Sequence, residues 1–190
     1  MAALAFALAG YLLGCVATGY YLVRLRTGRD IRTIGSGATG GRNVARVLGK
    51  PGFAITGLGD LAKSAGAVVL PLALGYGAAE ASAALVGVTL GHCWPVQLRF
   101  RGGKGIAPAV GGLLVLDPPV LVAGALLAGV VLAATRRMTP ALLATFAAPL
   151  VALALGRPIE VVAGILALVV LVLVAHGDNV RDELRAWRPG

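Results

Sequence analysis

Long apolar runs separated by short polar segments constrain the fold of this chain more than any other feature of its sequence. A helix needs about 17 to 25 mostly apolar residues to cross the hydrocarbon core of a bilayer. On that basis the sequence predicts seven transmembrane helices, near residues 3–23, 53–76, 79–98, 105–117, 118–135, 139–156 and 158–175. The fourth is short, and we expect it to be a broken or half-depth helix. We therefore predict an all-α polytopic membrane protein that forms one domain over residues 1–190.

The charged residues fall on alternate sides of these predicted helices. When successive loops are assigned to the two sides in turn, one side receives all 17 lysines and arginines except Lys63, within a span, and Arg157. The opposite side receives Glu80, Asp117 and Glu160. Short loops rich in lysine and arginine remain in the cytoplasm. The pattern predicts an N-terminus outside, a C-terminus inside and a multi-pass location in the inner (cytoplasmic) membrane.

Composition narrows the possible classes of function. Hydrophobic residues make up 58% of the chain, which is more apolar surface than a water-soluble domain of this size can bury. The net charge of +9 would suit a nucleic-acid partner in a soluble protein, but membrane orientation explains it here, so we expect no nucleic acid. The two cysteines, Cys15 and Cys93, suggest neither a disulfide framework nor a metal cluster, and a tetrahedral zinc site of about four ligands would have only two histidines to help, so we expect no metal.

The polar segment Gly35–Arg46, with the sequence GSGATGGRNVAR, has the Gly-x-Gly-x-x-Gly spacing of a dinucleotide-binding turn. Such a turn requires a preceding strand and a βαβ unit, whereas an arginine-rich segment and a membrane helix flank this one, so no nucleotide cofactor is expected. Glycines let successive backbone N–H groups converge on an anion. Ser36 and Asn43 add polar groups, and Arg42 and Arg46 add guanidinium groups that suit phosphate. The segment therefore predicts an anion-binding loop.

Two further segments on the same predicted side have polar groups that suit a phosphorylated substrate. In RGGKG, glycines surround Lys104, whose charge can bind phosphate at the N-terminus of a helix. His176 and Asn179 lie three residues apart after the last predicted span. A histidine there can orient or deprotonate a hydroxyl group near neutral pH. With apolar spans beneath them to hold a lipid tail, these groups suggest lipid chemistry on a phosphorylated substrate.

Asp60, Lys63 and His92 admit two interpretations each. Asp60 and Lys63 share a face of the second predicted helix, and charges within a span usually face the protein interior. The alternative is that they only neutralise each other near the membrane surface. His92 either contributes to the polar site or has a structural role beside Trp94 and Pro95.

These segments together resemble the bacterial acyl-phosphate:glycerol-3-phosphate acyltransferases, which are membrane enzymes with seven spans. The family's first motif, GSGNPGATN with an arginine soon after, is matched by Gly35, Ser36, Gly37, Gly40, Asn43 and Arg46. An Asp-x-x-Lys element is matched by Asp60 and Lys63. The second motif, GHxFPV with FKGGKG, is matched by Gly91, His92, Pro95, Val96, Phe100, Gly102, Gly103, Lys104 and Gly105. The third, HRxNI, keeps His176 and Asn179.

The chain departs from the family's pattern in the first and third motifs. The departures are Ala38, Thr39, Gly41, Arg42, Gly177 and Asp182. Arg42 replaces a threonine, and Gly177 and Asp182 each replace an arginine. These are the positions at which a difference in substrate would be expected to arise.

The resemblance implies transfer of a fatty acyl group from acyl phosphate to the sn-1 hydroxyl of glycerol 3-phosphate, which gives lysophosphatidic acid and phosphate in the first step of phospholipid synthesis. It implies Ser36, Lys104 and His176 as catalytic residues. The substrate-binding residues it implies are Gly37, Asn43, Arg46, Lys63, His92, Gly102, Gly103, Gly105 and Asn179. It implies no cofactor, an active site on the cytoplasmic side, surrounding membrane lipids and an acyl-phosphate-producing enzyme as a partner.

A transporter or channel for a phosphorylated or anionic solute is the alternative. Its polar residues should line a path at mid-membrane depth. In this sequence they cluster on one side, apart from Asp60 and Lys63, which favours the enzyme. A non-catalytic membrane scaffold would leave the glycine-rich loops unexplained.

Overall fold

A computed structural model describes residues 1–185 of the chain. These residues form ten α-helices and two short 3₁₀ turns, and no β-strand occurs among them. The helices are α1 (Ala2–Gly14), α2 (Thr18–Thr27), α3 (Gly41–Ala73), α4 (Ala78–Cys93), α5 (Ile106–Leu116), α6 (Pro118–Thr135), α7 (Met138–Ala144), α8 (Ala147–Ala154), α9 (Ile159–Ala175) and α10 (Gly177–Arg185). The 3₁₀ turns are Ile31–Thr33 and Val96–Leu98. Arg188, which the charge pattern assigns to the cytoplasmic side, lies outside the described residues.

The apolar segments of the sequence all lie in helices, but two of them are divided. The first is split between α1 and α2, and the sixth between α7 and α8. Within the described residues, three helical segments are long and apolar enough to cross a membrane, and the bent pair of α9 and α10 makes a fourth if it counts as one span. The all-helical prediction is confirmed for this part of the chain, and the count of seven spans stays a prediction. The fourth segment, α5, has only 11 residues and is short as predicted.

Helices α1 and α4 pack closely because glycines face each other across their interface. Gly10 and Gly14 on α1 and Gly87 and Gly91 on α4 each form a Gly-x-x-x-Gly pair. A Cβ atom at Gly91 would lie 2.0 Å from the carbonyl oxygen of Tyr11, so the two backbones can approach only without side chains here. Small residues at such spacing allow van der Waals packing in a bilayer, where hydrophobic burial adds little.

Helix α3 changes direction at Gly49, which has left-handed φ and non-helical ψ angles of 64° and −159°. Such a conformation favours glycine, and Pro51, two residues later, has no backbone N–H to donate to the preceding turn. The break separates a short polar arm, residues 41–48, from the long apolar part of α3. The arm carries the second half of the glycine-rich segment toward the functional site.

Asp117 connects α5 to α6 at the end of the protein opposite the polar loops. Its carboxylate accepts a hydrogen bond from the backbone N–H of Val120 at 3.4 Å and so caps α6. The same carboxylate pairs with Arg157, whose Nε lies 2.7 Å from Oδ2. This ion pair explains how the single arginine predicted on the non-cytoplasmic side is accommodated there.

The largest buried apolar cluster lies where α3, α4, α5, α6, α8 and α9 meet. Leu85, Val88, Ile165 and Leu168 are almost completely inaccessible at its centre. Many large apolar side chains on the outer helix faces are exposed, including Leu126 on α6. An apolar exterior of this kind suits lipid rather than water.

Candidate active site

A polar cavity of about 580 Å³ lies where the polar arm of α3, the loop before α5 and the junction of α9 with α10 come together. Most of the candidate residues line it: Ser36, Asn43, Arg46, His92, Lys104, Gly105, His176 and Asn179. Gly37, Lys63, Gly102 and Gly103 are not among its lining residues. Segments that are far apart in sequence thus converge on one cavity. Within the described residues, no group of three or more His, Cys, Asp or Glu residues is placed to hold a metal ion.

Asn43 organises the glycine-rich loop from the first turn of α3. Its side chain is 2% exposed and donates from Nδ2 to the carbonyl oxygens of Ile34 at 2.8 Å and Ala38 at 2.9 Å. Its Oδ1 accepts hydrogen bonds from the backbone N–H of Ser36 at 3.2 Å and from Nη1 of Arg46 at 2.9 Å. Because the protein engages both ends of the amide, Asn43 fixes the loop that presents Ser36 and Arg46 to the cavity.

The glycine-rich loop is also tied to the loop that carries Lys104. The backbone N–H of Thr39 donates to the carbonyl oxygen of Gly102 at 3.1 Å. Arg32 adds a second tie, because its Nη1 donates to the carbonyl oxygen of Leu98 at 2.7 Å. Asp30 pairs with Arg32 at 2.7 Å, and hydrogen bonding to that guanidinium lowers the pKa of Asp30. The two phosphate-favouring loops are therefore held as one unit.

The glycines of the RGGKG segment pack against His92 rather than presenting free N–H groups to the cavity. The backbone N–H groups of Gly102 and Gly103 donate to the carbonyl oxygens of Cys93 at 3.1 Å and His92 at 3.0 Å. A Cβ atom at Gly103 would lie 2.0 Å from Nε2 of His92, so only glycine fits over the imidazole ring. These two glycines shape the loop, which the sequence-based expectation of phosphate contact did not anticipate.

Lys63 lies in a buried polar network with Asp60 and His92. Its Nζ is 2.9 Å from Oδ1 of Asp60 and 3.1 Å from Nδ1 of His92. Nδ1 of His92 also lies 3.5 Å from Oδ1 of Asp60, so the imidazole contacts both members of the ion pair. Thr18 donates a further hydrogen bond to Asp60 at 3.0 Å.

The same lysine satisfies backbone groups at the break between α1 and α2. Its Nζ donates to the carbonyl oxygens of Gly14 at 3.1 Å and Val16 at 2.7 Å. These carbonyls lie at the C-terminal end of α1, where a helix carries partial negative charge. With Lys63 surrounded by protein acceptors, the network joins α1, α3 and α4 beneath the cavity, and only Asp60 and His92 reach the cavity wall.

Lys104 and Asn179 meet on the wall of the polar cavity. Nζ of Lys104 donates to Oδ1 of Asn179 on α10. Partial burial lowers the pKa of Lys104, the positive charge of Arg42 lowers it further, and Asp178 acts in the opposite direction. Lys104 is thus a half-buried cation whose hydrogen-bond partner is neutral.

His176 is buried at the end of α9, with 3% of its surface exposed. Its Nδ1 lies 2.8 Å from the carbonyl oxygen of Val172, and since a carbonyl only accepts, Nδ1 carries the proton. In the neutral ring Nε2 is then an acceptor. His176 can therefore accept a hydrogen bond from a hydroxyl group bound in the cavity.

Arg42 also lines the polar cavity. The sequence indicates it as a cation of the anion-binding loop, although it is not among the site residues that the family resemblance implies. Its side chain is exposed, and it is the second residue of α3. The signal for it was its charge within the predicted anion-binding loop.

An apolar cavity of about 290 Å³ adjoins the polar one. It lies between α5, α6, α7, α8 and α9, and among the described residues that line it only Thr145 has a polar side chain. The two cavities share Ile106, Val110 and Met138. A molecule with a charged head and an apolar tail could therefore occupy both at once.

Comparison with known proteins relates this arrangement to glycerol-3-phosphate acyltransferases. Residues 4–186 match the family model described as glycerol-3-phosphate acyltransferase. The chain is 46% identical over 178 residues to glycerol-3-phosphate acyltransferase 1 of Desulfitobacterium hafniense, covering 93% of this chain and 88% of that protein. It is 41% identical over 179 residues to the glycerol-3-phosphate acyltransferase of Rubrobacter xylanophilus, covering 94% and 89%.

The fold is similar to that of PlsY (YgiH), an integral membrane glycerol 3-phosphate acyltransferase whose crystal structure is known in a glycerol 3-phosphate form. The TM-score is 0.86 at 28% sequence identity, with 98% of this chain and 94% of that chain covered. The lysophosphatidic acid form of the same protein gives a TM-score of 0.83 at 26% identity, with 98% and 93% covered. The similarity thus includes nearly the whole length of both chains.

Proposed function

From its membership of the glycerol-3-phosphate acyltransferase family, we propose that this chain transfers a fatty acyl group from acyl phosphate to the sn-1 hydroxyl of glycerol 3-phosphate. The products would be lysophosphatidic acid and inorganic phosphate. The observation that carries the proposal is the junction of a cationic cavity with an apolar one at Ile106, Val110 and Met138. Acyl phosphate has a charged head, which suits the cationic cavity, and an apolar tail, which suits the apolar cavity.

The polar cavity offers enough positive charge for two phosphorylated substrates. Arg42, Arg46 and Lys104 line it. Asp60 is the one carboxylate among the described lining residues, and it already pairs with Lys63. Charge-assisted hydrogen bonds from guanidinium and ammonium groups to phosphate are among the stronger polar contacts in proteins. Ser36, exposed on the glycine-rich loop, adds a hydroxyl donor beside Arg46.

The reaction requires one bond to form and one to break. The acceptor's hydroxyl oxygen attacks the carbonyl carbon of acyl phosphate, forming the ester C–O bond, and the C–O bond to phosphate breaks. Phosphate leaves with the bonding electrons and the hydroxyl proton is released. Lys104 and the cations around it stabilise the negative charge that develops as the hydroxyl attacks and the phosphate leaves. Removing one such donor typically lowers the rate by about 10²–10³.

His176 and Asn179 would position the acceptor. Nε2 of His176 is the acceptor nitrogen of its ring and can take the hydrogen bond of the attacking hydroxyl. Phosphate is a good leaving group, so orientation of the hydroxyl matters more than the strength of the base. Asn179 accepts a hydrogen bond from Lys104, so the residue that would position the acceptor also holds the lysine that would bind phosphate.

The other candidate residues would act by holding this arrangement in place. Asn43 fixes the glycine-rich loop, and Gly102 and Gly103 let their loop close over His92. Lys63 anchors the buried network beneath them. We assign these residues to positioning, together with Gly37, which has a left-handed φ of 69° in the turn after Ser36.

We also propose that the protein crosses the membrane seven times, with the polar cavity facing the cytoplasm. The arginine-rich segments around the cavity support that orientation under the positive-inside rule. Acyl phosphate is a reactive mixed anhydride, so a cytoplasmic enzyme that produces it is the expected protein partner. Its tail would enter the apolar cavity directly from the surrounding lipid.

The test supplies purified protein in detergent with acyl phosphate and glycerol 3-phosphate and measures phosphate and lysophosphatidic acid. Product should form, Ser36→Ala should lose most turnover, and Lys104→Ala should lower kcat/KM by about 10²–10³. Lys50→Ala is the matched control, because Lys50 is exposed on the same side but outside the cavity. No product above a protein-free blank, with acyl-CoA also inactive, would overturn the proposal. Uptake of glycerol 3-phosphate into proteoliposomes without acylation would favour the transporter.

A further inference from the structure

Helix α10 has two side chains that contact distant parts of the chain. Asn179 and Glu183 lie four residues apart, a spacing that places both on the same side of a helix. Asn179 accepts the hydrogen bond from Lys104, in the loop before α5. Oε2 of Glu183 accepts from the hydroxyl group of Thr139 and, at 3.1 Å, from its backbone N–H. Helix α10, which bends from α9 by 59°, thus connects the loop before α5 to the first turn of α7.

The contact at Thr139 satisfies the beginning of α7. Thr139 is the second residue of that helix and is buried, with 7% of its surface exposed. The first backbone N–H groups of a helix have no partner within the helix, and the helix dipole favours a carboxylate beside them. Glu183 therefore caps α7 from a different helix. Because α7 has only seven residues, a contact at its first turn restrains the position of the whole helix.

The two elements that α10 connects also form the junction between the polar and the apolar cavity. Ile106 and Val110 on α5 and Met138 on α7 line both cavities. Met138 directly precedes Thr139, and Ile106 follows Lys104 by two residues. The contacts of α10 therefore lie next to both sides of the junction. Loss of the contact with α7 should change the position of Met138 relative to α5.

We propose that Glu183 is a positioning residue that, through Thr139, holds Met138 in place and so fixes the junction between the two cavities for a long acyl chain. This inference rests on the function proposed above. The carbonyl carbon of acyl phosphate lies between its charged head and its apolar tail, so it lies near this junction when both cavities are occupied. A misplacement of about 1 Å at a reacting atom can lower the rate by about 10²-fold. Glu183 is not among the residues that line either cavity, so it acts through α7.

The position of α7 should matter most for donors with long tails. Ala141 and Leu142 on α7 line the apolar cavity together with Met138. A long tail packs against all three residues, whereas a short tail ends near the junction and makes few of these contacts. If Glu183 had a structural role alone, its loss would reduce the amount of active protein and lower the rate with every donor equally. The ratio of kcat/KM for a long donor to kcat/KM for a short donor separates these two possibilities, because it does not depend on the amount of active protein.

The experiment measures kcat/KM for palmitoyl phosphate and for butyryl phosphate with the wild type, Glu183→Ala and Glu183→Gln. Glu183→Ala should lower the palmitoyl-to-butyryl ratio at least about tenfold, as expected when a hydrogen bond to a charged group is lost, and leave KM for glycerol 3-phosphate within about twofold. Glu183→Gln should recover much of the ratio, because its amide oxygen can still accept from Thr139. Arg185→Ala, on an exposed part of the same helix, is the matched control and should keep the wild-type ratio.

A second variant tests the same contact from the side of α7. Thr139→Val removes the hydroxyl donor and keeps the backbone N–H, so it should lower the ratio in the same direction but by less than Glu183→Ala. It also keeps the test available if Glu183→Ala does not fold. In the double variant, the substitution at Thr139 should add little to that at Glu183, because both remove one contact. Full additivity would show that the two residues act independently and would contradict the proposal.

Three other outcomes would overturn the assignment. An unchanged palmitoyl-to-butyryl ratio in Glu183→Ala would leave Glu183 with a structural role alone. A rise in KM for glycerol 3-phosphate without a change in the ratio would place its effect in the polar cavity. A ratio in Glu183→Gln as low as that in Glu183→Ala would show that the hydrogen bond to Thr139 is not what matters.

The failure of this inference can be distinguished from the failure of the proposed function. A wild-type protein that forms no lysophosphatidic acid contradicts the acyltransferase function itself. An active wild type whose ratio is shared by every variant contradicts only the role of Glu183. Amide hydrogen exchange in detergent gives a measurement that requires no turnover. Exchange in the first turn of α7 should be faster in Glu183→Ala than in Arg185→Ala, and equal exchange would contradict the capping contact.

Discussion

Lys104 and Asn179, 75 residues apart in sequence, are joined by a hydrogen bond from Nζ to Oδ1 at the wall of the polar cavity. The contact connects the loop before α5 to α10. A neutral amide holds the ammonium group in place without neutralising it, so its charge remains available to phosphate. A carboxylate at the same position would hold the lysine more strongly and compete with the substrate.

The first prediction concerns that distinction. Asn179→Asp should lower kcat/KM by more than Asn179→Ala, because the new carboxylate pairs with Lys104 and repels phosphate. We expect about tenfold for the alanine variant and at least about a hundredfold for the aspartate, in line with one or more lost charged hydrogen bonds. Initial rates with both substrates varied would measure this. Arg185→Ala, on an exposed part of the same helix, is the control. Equal or reversed effects of the two substitutions would contradict the role assigned to the amide.

The second prediction concerns pH. Lys104 must be protonated to bind phosphate, and burial together with the charge of Arg42 lowers its pKa from the ordinary lysine value of about 10.4. Activity should therefore fall as pH rises through this lowered pKa. The decline should begin at a lower pH than it would if Lys104 had the pKa of an ordinary lysine. Lys104→Arg should remove that alkaline decline, since arginine stays charged. Arg42→Thr should move the decline to higher pH, because a neighbouring positive charge is lost. Profiles of kcat/KM corrected for spontaneous hydrolysis of acyl phosphate would test both shifts.

The sequence was sufficient to predict the family, the all-helical class and the segments that meet at the cavity, because each depends on local signals. Apolar runs of fixed length indicate membrane helices, and glycine-rich loops with arginine or lysine indicate anion binding. Lys104, His176 and Asn179 line one cavity as this reasoning suggested, though their individual roles stay predictions.

Other features depended on contacts between distant segments. The break between α1 and α2 is compatible with a bilayer because Lys63 contacts the carbonyl oxygens it frees. Nothing within either segment indicates that partner. Likewise, Gly102 and Gly103 suggested phosphate contact by composition, whereas His92 occupies the space they leave open. The sequence indicated Arg42 only as a cation of the anion-binding loop, and the structure shows that it lines the cavity.

The third prediction separates structure from catalysis at Lys63. Replacing it with methionine leaves the buried carboxylate of Asp60 without its ammonium partner, which should destabilise the protein by about 3–5 kcal/mol. The double variant Asp60→Asn with Lys63→Met should be less destabilised than Lys63→Met alone, since no unpaired charge remains. Thermal denaturation in detergent measures the relative stabilities of the wild type, Lys63→Met and the double variant. If Lys63→Met kept its stability while KM rose, Lys63 would contact substrate directly.

The fourth prediction concerns the glycine interface between α1 and α4. Gly91→Ala places a methyl group 2.0 Å from the carbonyl oxygen of Tyr11, so the helices must separate, at a cost of about 1–3 kcal/mol or more. Gly66→Ala is the matched control: Gly66 lies on α3 with nothing within 4 Å of a Cβ atom, and alanine should be neutral or slightly stabilising there. Comparing the melting temperatures of the two variants tests the packing. Similar values for both would show that the α1–α4 contact tolerates a larger separation.

The last prediction concerns the apolar cavity and acyl-chain length. Gly124 on α6 lines this cavity, and a Cβ atom there would meet only the methyl group of Ala148, at 3.8 Å. Gly124→Leu should therefore fold normally while its remaining side-chain atoms fill space meant for the tail. The variant should prefer shorter acyl phosphates than the wild type, with KM for long-chain donors raised and KM for glycerol 3-phosphate little changed. Leu126→Phe, which adds bulk on an exposed face of α6 outside the cavity, should leave the preference unaltered. A series of saturated acyl phosphates tests this, and an unchanged chain-length profile in Gly124→Leu would place the tail elsewhere.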